Sequence, residues 1–332
     1  MARNRTPAPM SRKVQPRRGP SLEVTDRTNQ LPGIQASPPG TASGTMSYRH
    51  PPKAPLRGPM THPFHVQRSG SGELPFVLVH GFGASGGFWR RWVPELGRRG
   101  EVHALDLKGF GRSPTPPGAD YSPLSQAQHL AEYIRNLGGP SPVLFGHSLG
   151  AGVVVAATLR LLDEGGAYLP SALVLVSGAV YPQRLPPFLR MAQLPGIGDL
   201  FLVAPPPRLL LRLGIKGIVH RSRSVTREQV DVYREPLLSF RRRRAILRAA
   251  RQVAAADAHP ISSRLGEIQI PTLLLWGEAD RVIPPELGRR LSDDLPDARL
   301  VEMARVGHLP PEEAPEESLA MVLRFLDERV GS

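Results

Sequence analysis

Short apolar runs punctuate the chain from residue 75 onward, at 75–79, 101–105, 143–145, 173–176, 272–276 and 300–303. Each is rich in Val or Leu and too brief for a helix, so each reads as a buried strand. The stretches between them carry apolar residues at helical spacing. These predict helices over 87–96, from Ser122 as N-cap to 137, over 149–163, from about Pro285, and over 316–329. A short hairpin is expected over 61–72. Strand and helix alternating in this way build a parallel sheet with helices on both faces, so the expected class is α/β. The alternation breaks over 181–260. That stretch is rich in Pro, Leu and Arg, with Pro205-Pro206-Pro207 and four arginines at 241–244, and its periodic pieces at 208–213 and 225–251 predict helices. No internal repeat interrupts the pattern.

Residues 1–60 lack any such periodicity. They hold 11 prolines and cannot bury enough apolar surface to offset the entropy of ordering, which predicts a disordered tail. The tail is rich in Arg and poor in acids. No apolar stretch follows Arg17-Arg18, so no targeting signal is expected, and the alternative to a tail is a true start at Met46 or Met60. The expected division is a tail at 1–60, a first core part at 61–180, a helical insertion at 181–260 and a second core part at 261–332.

At 332 residues and 40% hydrophobic the chain is long enough for a sizeable core. It contains no cysteine, which excludes disulfides, thiolate metal sites and a cysteine nucleophile. No run of about 18 uncharged apolar residues is present, so no transmembrane helix is expected, and the expected location is cytoplasmic. The net charge of +13 is unevenly spread: 10 Lys/Arg face 2 Asp/Glu in 1–60, 15 face 5 in 181–260, and 17 face 22 elsewhere. Arginine outnumbers lysine 38 to 4 and no recognition motif accompanies the charge, so specific nucleic-acid binding is not expected. The basic insertion, with its Leu/Arg helices, is compatible with weak contact to an anionic membrane, or with a merely solvated face. No cofactor or metal motif and no obligate protein partner is read from the chain.

The candidate chemistry centres on Gly146-His147-Ser148-Leu149-Gly150, which fits the nucleophile-elbow pattern G-x-S-x-G. A serine pinched between a strand and a helix sits on a strained turn, and the flanking glycines remove side chains that would collide there. A serine hydroxyl needs a base, and the base needs an acid to orient it. Asp280 follows the run at 272–276 and His308 the run at 300–303, so serine, acid and histidine come at three strand ends that a parallel sheet brings to one edge. Glu278 competes with Asp280 as the acid. His80, His147 and Asp106 are expected to be structural, and Trp89 and Trp92 to belong to the core.

Together these residues resemble the α/β-hydrolase superfamily, in particular its capped branch with a serine nucleophile, over roughly 63–330. The resemblance implies that Ser148 is the nucleophile, Asp280 the acid and His308 the base, and that the 181–260 insertion is a helical cap. It implies an oxyanion hole made by the backbone N–H of Phe82, in His80-Gly81-Phe82-Gly83, and of Leu149. Phe82, Phe188 and Leu309 are candidate substrate contacts, and the apolar cap residues Phe188, Leu189, Leu194, Ile197, Phe201 and Leu202 suggest a small-molecule substrate with an apolar acyl or alcohol moiety. Serine rather than aspartate at the elbow argues against dehalogenase and epoxide hydrolase chemistry and for an acyl-enzyme. Leu309 stands where carbon–carbon bond hydrolases of this branch commonly carry tryptophan. The expected function is hydrolysis of a carboxylic ester or related acyl compound. Carbon–carbon bond hydrolysis, acyl transfer, perhydrolysis and a non-catalytic binding module remain the alternatives.

Overall fold

The computed structural model describes residues 26–27, 63–220, 225–253 and 259–331. They form a sheet of β1 (Asp26–Arg27), β2 (His65–Ser69), β3 (Pro75–Val79), β4 (Glu101–Asp106), β5 (Val143–His147), β6 (Ala172–Val176), β7 (Thr272–Gly277) and β8 (Ala298–Met303), ordered β1-β8-β7-β6-β5-β3-β4-β2. Strands β3 to β8 run parallel, while β1 and β2 pair antiparallel with β8 and β4 at the two edges. The expected α/β class and mostly parallel sheet are therefore observed.

Among the described residues of 61–72, the expected hairpin is replaced by a single strand. The strand in that stretch, β2, pairs with β4 from His65 opposite Asp106 to Ser69 opposite Val102, because both edges of its chain neighbour β3 are already taken by β4 and β5. The disordered tail expected at 1–60 lies outside the described residues except for β1. Those two residues depart from the expectation by pairing with the open edge of β8, whose N–H and C=O groups otherwise lack strand partners.

Strands β3, β5, β6 and β7 are buried along their whole length. Successive side chains point to opposite faces, so Val77, Val79, Leu144, Leu173 and Leu274 pack on one side while Phe76, Leu78, Phe145, Val174 and Leu275 pack on the other. This two-sided burial explains the unbroken apolar runs in the sequence. The first face is covered by α2 (Pro123–Leu137) and α3 (Leu149–Asp163), the second by Trp89, Trp92 and the C-terminal helix. Ser122 caps α2 as expected, its Oγ accepting from Ser125 N–H at 3.3 Å.

Two predicted helices are broken by proline. The stretch at 87–96 forms a 3-10 turn at Gly86–Trp89 and a separate α1 (Val93–Leu96), since Pro94 has no N–H with which to continue a helix. Between β6 and β7 lie α4 (Pro187–Gln193), α5 (Ile197–Val203), α6 (Arg208–Ile218), α7 (Arg227–Arg234) and α8 (Phe240–Gln252), then α9 (His259–Ser262). The helix expected over 225–251 is thus two helices, split by a 3-10 turn at Glu235–Leu238 that contains Pro236. The core closes with α10 (Pro285–Asp294), α11 (Pro310–Glu313) and α12 (Pro315–Arg329). Among the described residues, no helix is long and apolar enough to cross a membrane.

Arg90 ties three of these parts together. Its guanidinium donates to Glu312 of α11 at 2.6 and 3.0 Å and to Glu228 of α7 at 2.8 Å. Burial works most strongly against the charge, but the hydrogen bonds and negative charges of Glu312 and Glu228 together outweigh it and raise the pKa. The Glu312 side chain is completely buried, so Arg90→Met leaves an uncompensated charge and is expected to cost about 3–5 kcal/mol in urea unfolding. The double variant Arg90→Met/Glu312→Met should recover most of that loss, and equal midpoints for the single and double variants would show that the buried carboxylate is not the cause.

Candidate active site

Ser148 joins β5 directly to α3 with φ +52° and ψ −118°, a conformation that typically costs a non-glycine residue roughly 1–3 kcal/mol. The surroundings enforce it. Ser148 N–H donates to Val176 O at 2.9 Å, and Ser148 O accepts from Ala151 and Ala179 N–H, both at 3.0 Å. A Cβ on Gly146 would stand 2.6 Å from Ala151 Cα, and one on Gly150 would stand 2.5 Å from the carbonyl oxygens of both Val79 and His80. Only glycine fits at either place, which is why the pattern frames the serine with two of them.

The expected partners converge on it. His308 Nε2 lies 3.1 Å from Ser148 Oγ, and His308 Nδ1 lies 2.8 Å from Asp280 Oδ2. The carboxylate can only accept, so Nδ1 carries the proton and Nε2 is free to receive one from the serine. Asp280 is fixed through its other oxygen, which accepts from Val282 and Ile283 N–H at 2.8 and 2.9 Å. Both side chains are nearly closed to solvent, with Asp280 5% and His308 4% exposed. Glu278, the competing acid, is exposed. The turn after β7 aims Asp280 inward and leaves Glu278 outside.

Three further residues set the histidine, and the sequence reading assigned none of them to that task. Glu313 accepts from the N–H groups on either side of it, Gly307 and Leu309, at 3.0 Å, and from His220 N–H at 2.7 Å. His308 N–H donates to Ile218 O, at the end of α6, at 2.9 Å. His147 Nε2–H donates to His308 O at 2.9 Å, and its ring packs between Phe88 and His308, 4.4 and 4.9 Å from theirs. Burial, reinforced by the neighbouring His308, holds the pKa of His147 well below 6.5 and keeps it neutral. The signal for Glu313 was an acid in the first turn after the histidine, where helix N–H groups are unpaired.

His80 and Asp106 brace loops, as expected. His80 Nδ1–H donates to Gly81 O at 2.7 Å while Nε2 accepts from Leu107 N–H at 3.0 Å. Burial lowers its pKa and keeps it neutral. Asp106 accepts from Gly86 and Arg112 N–H at 2.6 and 2.7 Å. Trp89 and Trp92 are fully buried in the core.

Phe82 follows β3 and Leu149 opens α3, on the two strands where the sheet's winding reverses direction. Among the described residues neither backbone N–H has a protein acceptor. Above them, Leu189 of α4 and Ala250 and Val253 at the end of α8 form an apolar cluster that packs on Phe82 and Leu149. Phe188 is half-exposed with its ring 6.2 Å from that of Phe82. Other expected pocket residues lie elsewhere. Leu309 is buried in the core with Val306 and Ala314, because Glu313 draws its backbone toward α11, and Leu194 and Ile197 turn to solvent. Among the described residues no cluster of three or more His, Asp or Glu is placed to hold a metal ion.

The profile of the alpha/beta hydrolase family matches residues 76–321. The chain belongs to this family. An uncharacterized hydrolase, YugF, of Bacillus subtilis (strain 168) is 31% identical over 256 residues, which are 76% of this chain and 89% of that protein. The crystal structure of an alpha/beta hydrolase fold protein from Burkholderia ambifaria superposes with a TM-score of 0.69 at 30% identity, covering 79% of this chain and 94% of its own. A thermophilic esterase from Thermogutta terrifontis superposes with a TM-score of 0.65 at 26% identity, covering 80% and 93%. In open parallel α/β sheets the crevice beyond the carboxyl ends of the strands is the natural place for a site, and Ser148, Asp280 and His308 follow the ends of β5, β7 and β8 there.

Two measurements check this construction. Gly150→Ala is expected to lower stability by about 1–3 kcal/mol, read as a shifted urea midpoint with unchanged m-value, because its methyl meets the carbonyl oxygens of Val79, the last residue of β3, and of His80 just after it. The neutral His147 makes stability fall in acid. Its folded pKa lies below the ordinary 6.5, so its contribution is complete above that pH and is lost as pH falls below it, by up to about 1.4 kcal/mol per pH unit. His147→Gln should remove one proton's worth of slope between pH 6.5 and 5, whatever it does to stability at pH 8.

Proposed function

We propose that the protein is a serine hydrolase that cleaves a carboxylic ester, or a related acyl compound, through an acyl-enzyme on Ser148. The observation that carries this reading is the chain of contacts from Ser148 Oγ through the His308 imidazole to Asp280, at 3.1 and 2.8 Å. In the proposed cycle His308 Nε2 takes the hydroxyl proton as Ser148 attacks the acyl carbonyl, and Asp280 stabilises the imidazolium that results. The N–H groups of Phe82 and Leu149 receive the negative charge on the former carbonyl oxygen, where such donors contribute roughly 3 kcal/mol each. His308 then returns the proton to the leaving alcohol. A water, activated by the same imidazole, hydrolyses the acyl-enzyme.

Helices α4 to α8 act in this reading as the cap over the site. The cluster of Leu189, Ala250 and Val253 over Phe82 and Leu149, with Phe188 beside it, supports an apolar acyl or alcohol group as the substrate's bulk. The similarity to the Thermogutta terrifontis esterase supports an ester as the bond cleaved.

A fluorophosphonate should label the wild-type protein on Ser148, and Ser148→Ala and His308→Ala should abolish labelling. A p-nitrophenyl ester series should be turned over with an acyl-length optimum, and kcat should fall roughly 10⁴-fold or more in either variant and in Asp280→Asn. A folded protein that neither labels nor turns over any ester contradicts the reading.

A further inference from the structure

Thirteen large apolar side chains stand exposed among the described residues, and nine of them fall within 188–213. They are not scattered. Each of the three helices there buries a single residue and leaves apolar side chains exposed: α4 buries Leu189 and exposes Met191, α5 buries Gly198 and exposes Leu200 and Val203, and α6 buries Ile215 and exposes Leu209 and Leu213. Leu200, Val203 and Leu209 are 70%, 80% and 68% exposed. Single surface leucines need no explanation, but this concentration on consecutive helices marks an interaction face.

Cations outnumber acids around these side chains, and the acids there are paired: Asp231 of α7 accepts from Arg208 of α6 at 2.7 Å. Arg190 and Arg212 are exposed, Lys216 is half-buried on α6, and Asp199, the acid of this stretch, is already paired with Arg251 at 2.9 Å. Arg241, Arg244 and Arg248 line the exposed side of α8. A second copy of the chain docking here would set cations against cations. An anionic surface that is apolar beneath its charges complements both features.

We propose that α4, α5 and α6 form a docking face for an anionic phospholipid bilayer, with their outward leucines entering the boundary between headgroups and acyl chains and the arginines meeting lipid phosphates. The face adjoins the site, since Phe188 on α4 lies against Phe82 and α6 ends on the backbone of His308. Docking sets that crevice beside the bilayer. The inference does not depend on the chemistry of Ser148.

The test is flotation of the full chain with phosphatidylcholine vesicles made with and without phosphatidylglycerol, at low and high salt. Co-flotation should require phosphatidylglycerol and weaken as salt rises. Leu200→Glu/Leu209→Glu should lower partitioning roughly a hundredfold, about tenfold for each leucine withdrawn, while thermal unfolding stays as in the wild type because both side chains are exposed. Val203→Glu, at the end of α5, gives an independent variant with the same direction of effect. No flotation at low salt overturns the proposal. So does flotation that all these variants leave unchanged, which would place binding elsewhere, as on basic residues 1–60. Sedimentation showing a dimer that the variants abolish, without lipid binding, would give the face to a second copy and overturn it equally.

Discussion

Ser148 holds a backbone conformation that an L-residue adopts only under constraint, with φ +52° between a strand that ends at residue 147 and a helix that begins at residue 149. No loop intervenes to absorb the change of direction. The constraint is close packing: α3 starts so near β3 and β5 that Gly146 and Gly150 have no room for a Cβ, and the Ser148 carbonyl is held by Ala151 and Ala179. Everything else at the site is arranged around this fixed point. The hydroxyl stands clear of the turn, beside the first N–H of a helix that is positive at that end, and the parallel strands on either side deliver the other groups to the same edge of the sheet.

His308 is the second fixed point, and it is fixed from several sides at once. Its side chain is held by Asp280, its carbonyl by His147 on the elbow, its N–H by Ile218 at the end of α6, and its flanking N–H groups by Glu313. Two of these partners tie it to the elbow and to the helical insertion. The position of the imidazole therefore answers to the seating of α6 as well as to the sheet. Arg90 adds a second clamp between the insertion and the core, through Glu228 and Glu312.

Much of this was legible in the sequence, for identifiable reasons. Strands buried on both faces must be apolar throughout, so β3, β5, β6 and β7 announce themselves. The glycines around Ser148 are visible because no other residue fits. The order of Ser148, Asp280 and His308 is legible because parallel strands convert chain order into a shared edge. Pairing was less legible: β2 joins β4 because β3 has no free edge, and that is a property of the assembled sheet. Asp280 and Glu278 differ only in where a turn points them. In the insertion, apolar residues occur on more than one side of each helix, so the sequence does not say which stripe faces inward. Leu194 and Ile197 therefore read as pocket walls although they face solvent. His147 acts on a backbone carbonyl, which leaves no spacing pattern, and Glu313 shows only as an acid in the first turn after His308.

The central claim is that a single acyl-enzyme on Ser148 lies between substrate and product. Product partitioning tests it most directly: esters sharing one acyl group but differing in leaving group are hydrolysed with methanol present, and the ratio of acid to methyl ester formed is measured. One ratio for every leaving group is the result expected if all pass through the same intermediate, since water and methanol then compete for an identical species. A ratio that changes with the leaving group would mean that the acceptor attacks the substrate itself, and would contradict the account.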